Sequence, residues 1–98
     1  MAVRATHKRC KRIRCKAPLT LEDRRTGFYY PGILHNYSKS GLYFECAYAH
    51  RPGRKIRIKS NGLPFGRKTN GRLAEVTRRT LLDRRRSTRL FGVGAKFC

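Results

Sequence analysis

The stretch Lys55-Ile56-Arg57-Ile58-Lys59 alternates strictly between cation and isoleucine. Successive side chains of an extended chain point to opposite faces, so Ile56 and Ile58 are predicted to face a core and the three cations to face solvent. Leu42-Tyr43-Phe44-Glu45-Cys46 repeats the pattern, with Leu42, Phe44 and Cys46 on one face and Tyr43 and Glu45 on the other. Pro18 to Glu22 alternates as well, Leu19 and Leu21 against Thr20 and Glu22, and Asp23-Arg24-Arg25-Thr26-Gly27 supplies a turn after it.

Outward from these segments, Phe28 to Asn36 is aromatic and β-branched enough for a strand. Pro31 and Gly32 imply an edge position or a bulge within it. Arg51-Pro52-Gly53-Arg54 turns the chain into the Lys55 strand, and Ser60 to Gly71 reads as a long loop. Arg72 to Leu82 and Arg89 to Phe97 are two further strands, the second with Phe91, Val93, Ala95 and Phe97 on one side. Leu81 and Leu82, set in the charged stretch from Glu75 to Arg86, leave a short helix as the alternative there. About six short strands at this spacing predict an all-β fold, a small antiparallel barrel.

A chain of 98 residues has mass for one core. Residues 1–16 hold seven Lys or Arg, no acid and few large apolar side chains, and are expected to form a basic arm ahead of a barrel spanning 17–98. The charge balance, 25 Lys plus Arg against five Asp plus Glu, gives +20 and calls for an anionic partner: a nucleic acid, an anionic membrane surface or a small phosphorylated ligand. No apolar run approaches the roughly 20 residues that span a bilayer, and the first residues lack the apolar centre of a secretion signal. A cytoplasmic protein without membrane insertion is expected, its cysteines (Cys10, Cys15, Cys46 and Cys98) reduced.

Metal and catalytic chemistry find little footing. Cys10 and Cys15 with His7 lack the paired spacing of a zinc site, and Cys46 and Cys98 do not complete one. His35 and His50 have no partner pattern beyond strand and loop positions. Glu22 and Asp23 are adjacent on a turn, and no nucleophile motif is present. The expectation is a binding module rather than an enzyme, with no metal and no cofactor.

Two motifs remain. Asn36-Tyr37-Ser38-Lys39-Ser40-Gly41 ends a strand, and Lys8-Arg9-Cys10-Lys11-Arg12 precedes the first one. Together with the strand order and the closing Phe91-Gly92-Val93-Gly94-Ala95-Lys96-Phe97, the chain resembles the PilZ family from about Lys8 to Phe97. That family pairs an Arg-x-x-x-Arg arm with Asp/Asn-x-Ser-x-x-Gly. Here Asn36, Ser38 and Gly41 match every defined position of the second motif, Arg12 matches the second arginine, and Lys8 stands at the first with Arg9 beside it.

The resemblance implies a receptor for cyclic di-GMP, its ligand held by Lys8, Arg9, Arg12, Asn36, Ser38 and Gly41, with the arm closing as the ligand binds. Arginine suits such a ligand, because its guanidinium forks onto guanine O6 and N7, stacks on a base or clamps a phosphate. Lysine is a point charge and reproduces only part of this. For Asn36, Ser38 and Gly41 the plain alternative is a turn that ends a strand; for Lys8, Arg9 and Arg12 it is a solvated tail. A downstream effector protein is a further partner considered. The competing functions are a nucleic-acid-binding barrel, with cations at Arg51 to Lys59 and Arg84 to Arg89 and tyrosines as stacking surfaces, and an interaction domain that has lost its ligand.

Overall fold

The computed structural model describes residues 12–60, 71–83 and 89–98. Its strands are β1 (Ile13–Asp23), β2 (Tyr29–Tyr37), β3 (Gly41–Cys46), β4 (Lys55–Lys59), β5 (Arg72–Leu81) and β6 (Phe91–Phe97). All pairings are antiparallel, and the order β1-β2-β3-β6-β5-β4 closes on itself as a six-stranded barrel. Closure gives every strand two neighbours, which removes the free sheet edges on which chains aggregate.

The alternation visible in the sequence builds the core. Leu19 and Leu21 of β1, Leu34 of β2, Leu42, Phe44 and Cys46 of β3, Ile56 and Ile58 of β4, Ala74 and Val76 of β5, and Val93 and Ala95 of β6 all turn inward and are buried. Each fully buried leucine, isoleucine or phenylalanine among them contributes about 1.5–3 kcal/mol. Small residues on β5 and β6 leave room for Phe44 and the leucines, as the limited interior of a narrow barrel requires.

Four details depart from expectation or sharpen it. β1 begins at Ile13, so residues 13–16, assigned above to the arm, are strand: Cys15 and Ala17 are half-buried against the core while Arg14 and Lys16 face outward. The arm's cations on this stretch are simply the outer face of β1. The irregularity of β2 falls not at Pro31 and Gly32 but between Leu34 and Asn36, where His35 is the extra residue against β3. Pro31 lies one residue beyond the last β2–β3 pair, Gly32 with Cys46, a locally free position where a missing N–H costs little. Finally, β5 stays extended through Leu81 in register with Phe91, so the helical alternative is not realised; pairing with β6 decides the conformation of a stretch whose outward residues are all polar until Leu81.

The turn after β1 is built on Asp23, which is fully buried. Its Oδ1 accepts from the backbone N–H of Arg25 (2.8 Å) and Thr26 (3.4 Å), and its Oδ2 from Arg54 Nη1 at 2.7 Å. Burial alone would raise the pKa of this carboxyl, but these hydrogen bonds and the arginine outweigh it and hold the group below its ordinary value. Gly27, at φ +81°, completes the turn in the left-handed region. Most of the Ser60–Gly71 loop and residues 84–88, between β5 and β6, lie outside the described residues.

Candidate functional site

Arg12 leads into β1, and Asn36 sits near the end of β2, 24 positions away in sequence. The β1–β2 register sets Ile13 opposite Tyr37 and Arg14 opposite Asn36, which brings the two motifs to the same end of the barrel. There Arg12 Nη1 donates to Asn36 Oδ1 at 2.8 Å. With its oxygen engaged, the Asn36 amide has its N–H donors left for another group.

Both residues line a groove of about 880 Å³ on the outer wall where β3, β6 and β5 run side by side. Its floor is β6. Gly94 stands between Tyr43 of β3 and Arg78 of β5 in the register. A Cβ on Gly94 would come within 3.3 Å of Arg78 Cγ, and one on Gly92 would run into the Tyr43 hydroxyl. The two glycines therefore let a phenol ring and a guanidinium lie down across the strand. Lys96, Thr77 and Thr80 add a cation and hydroxyls to the lining. Thr77 is the extra residue of a β5 irregularity between Val76 and Arg78, and its hydroxyl donates to the Gly94 carbonyl at 3.1 Å. Partial burial, and then the Glu45 carboxylate, push the Tyr43 phenol above its ordinary pKa, against an opposing pull from Arg78. It is a neutral hydrogen-bonding ring at physiological pH.

Ser38 and Gly41 act differently from Asn36. Ser38 is 6% exposed; its Oγ accepts from Ser40 N at 3.2 Å and lies 3.1 Å from Ser40 Oγ, and its backbone N–H donates to Gly41 O at 2.8 Å. It ties the β2–β3 turn together, as the turn reading of the motif had it. A Cβ at Gly41 would run into the Ala95 carbonyl, so glycine here permits the close approach of β3 to β6. Gly41 also lines the groove, which Ser38 does not. Lys8 and Arg9, and Cys10, lie outside the described residues.

Sequence reading missed Arg78, Tyr43 and Lys96. The available signal was Gly92 and Gly94 alternating with core residues in β6, since two small outward residues in a strand announce that something lies across it. What lies there depends on which strands flank β6, and that is a matter of topology.

Among the described residues, the cysteines Cys15, Cys46 and Cys98 are free thiols, with burial pushing the Cys46 thiol up to about 11. No helix among them is long and apolar enough to cross a membrane, and no cluster of three His, Cys, Asp or Glu is poised to hold a metal. A comparison of the chain with models of known protein families gives no match, and neither does a comparison with curated proteins.

Proposed function

We propose that this protein is a PilZ-like cytoplasmic receptor for cyclic di-GMP, a binding module rather than an enzyme, and that the groove beside Arg12 and Asn36 takes the ligand. The observation that carries the reading is the 2.8 Å hydrogen bond between Arg12 and Asn36, which unites one residue from each half of the two-part motif at the rim of a groove large enough for a dinucleotide. The chemistry of the lining supports it. Arg12 and Arg78 offer planar cations for stacking on guanine or clamping phosphate, and Lys96 adds a point charge. The Asn36 amide donors match guanine O6 and N7, and the Tyr43 ring adds a stacking face.

In this reading Ser38 positions Asn36 through the turn, and Gly41 keeps β3 against β6. Lys8 and Arg9 add their charge to the recognition of the ligand's phosphates. A downstream effector protein would then sense the ligand-bound receptor.

The test is a pair of substitutions at opposite ends of β1. Arg12→Ala should weaken cyclic di-GMP binding about tenfold or more, the worth of a lost charge-assisted contact, while Arg24→Ala leaves it near wild type. Arg12→Ala and Asn36→Ala should be non-additive, because the two groups touch. Equal losses from Arg12→Ala and Arg24→Ala in calorimetric titration would mean diffuse charge attraction and no defined groove.

A further inference from the structure

The opposite end of the barrel carries a second concentration of charge. β1 runs from Ile13 to Asp23, about 30 Å of extended chain, so the β1–β2 turn is a barrel's length from the Arg12–Asn36 pair. At that end Arg24 and Arg25 meet Arg51, Arg54 and Lys55, from the turn into β4, around one open groove of about 550 Å³. The backbone fixes the meeting: Arg24 N donates to Lys55 O at 3.1 Å, Arg54 N to Arg51 O at 3.0 Å, and the buried Asp23 carboxylate binds both turns at once.

Acids neutralise only part of this cluster. Asp23 is spent on Arg54, and Glu22 lies 3.7 Å from Arg24 and 3.5 Å from Arg57. Arg25, Arg51 and Lys55 are exposed and make no ion pair among the described residues; Glu75, opposite Lys55 in the β4–β5 register, does not pair with it. Cations held this close repel one another, and an anion that spans them relieves the repulsion.

Exposed aromatic rings follow the same β1–β2 turn, outside the groove's lining. Phe28 and Tyr29 follow the same turn and are 63% and 56% exposed, with Lys59 Nζ 5.1 Å from the centre of the Tyr29 ring. Cations in a groove with exposed rings on the turn that leads out of it are what a single strand of nucleic acid engages, phosphates on the cations and bases stacked on the rings. A bilayer surface would call for cations on a flat face, whereas these line a concavity.

We propose that this end of the barrel binds single-stranded nucleic acid, with Arg25, Arg51 and Lys55 on successive phosphates and Phe28 and Tyr29 stacking against bases. The site is separate from the Arg12 groove and does not depend on the reading of that groove.

Anisotropy of a labelled oligothymidylate of roughly 12 nucleotides, titrated with the full chain over a series of salt concentrations, tests it. Neutralising Arg25→Gln, Arg51→Gln and Lys55→Gln together should weaken binding at least about tenfold and make the slope of log K against log salt shallower by about 2, since each phosphate contact to a single strand contributes about 0.7. Phe28→Ala should lower affinity about tenfold at unchanged slope. The control carries Arg14→Gln, Lys16→Gln and Lys39→Gln, which removes the same charge from exposed positions toward the other end of the barrel, and should keep the wild-type slope. All the exchanged side chains are exposed, so the fold persists. Equal losses from the two triple variants would overturn the proposal, as would binding to phosphatidylserine vesicles without binding to the oligonucleotide.

Discussion

Acidification from pH 7 to pH 4 should remove about 3 kcal/mol of stability through His50 alone. The imidazole is fully buried, edge-on to Tyr30 (centroids 5.3 Å apart), Tyr48 (4.8 Å) and Phe44 (6.1 Å), and neither ring nitrogen has a hydrogen-bond partner among the described residues. Burial lowers its pKa from 6.5 to about 4, with Arg54 pushing the same way and Asp23 opposing. In the unfolded chain the ring takes up its proton as the pH falls through 6.5, whereas in the fold it resists until about 4. Between those values the unfolded state binds more protons, so stability falls as pH falls. A difference of about 2.5 units at 1.36 kcal/mol each is about 3 kcal/mol, a large part of the roughly 5–15 kcal/mol that a domain possesses. Urea unfolding followed by circular dichroism at pH 7 and near pH 4, on the wild type and on His50→Phe, isolates the effect. The phenyl ring keeps the aromatic packing and cannot titrate, so the variant should lose about 3 kcal/mol less than the wild type over this range. Parallel losses in the two proteins would refute the assignment.

Asp23→Ala should cost about 3–5 kcal/mol in urea unfolding at neutral pH, because it leaves Arg54 without its carboxylate and two turn N–H groups without an acceptor; since the folded pKa of Asp23 is lowered, its stabilisation is complete above the ordinary value of 3.8 and is lost only as the pH falls below it. Gly41→Ala should cost about 1–3 kcal/mol by forcing β3 from the Ala95 carbonyl, whereas Gly27→Ala, with open space around it and only a left-handed φ to strain, should cost about 1 kcal/mol. With a thiol reagent at pH 8, exposed Cys98 should react first among the described cysteines and Cys46, buried and held protonated, only on unfolding; prompt modification of Cys46 in the native protein would contradict its place in the core.

Strict alternation made β3, β4 and the centre of β1 legible, because a period of two has one physical meaning when one face is buried. The start of β1 was hidden by its composition: Cys15 and Ala17 are too small to announce an inward face beside Arg14 and Lys16. β5 was ambiguous because its outer half carries Arg78, Arg79 and Leu81 without apolar alternation, and only pairing with β6 fixes it as strand. Of the candidate site, Arg12 and Asn36 could be named from the motifs but their contact could not, since it depends on the β1–β2 register. Ser38 was named for the ligand and is buried in the turn, where a short hydroxyl satisfies the backbone. Arg78 and Tyr43 come together only because β5 and β3 flank β6, an adjacency that no local pattern carries.

Calorimetric titration of the full chain with cyclic di-GMP, beside GMP and a short single-stranded oligonucleotide at low and moderate salt, tests the receptor assignment most directly. Saturable heat with cyclic di-GMP that survives moderate salt, while GMP gives none, is the predicted result. No saturable heat with cyclic di-GMP at either salt concentration would contradict it and leave the barrel's anion binding to the Arg25 end alone.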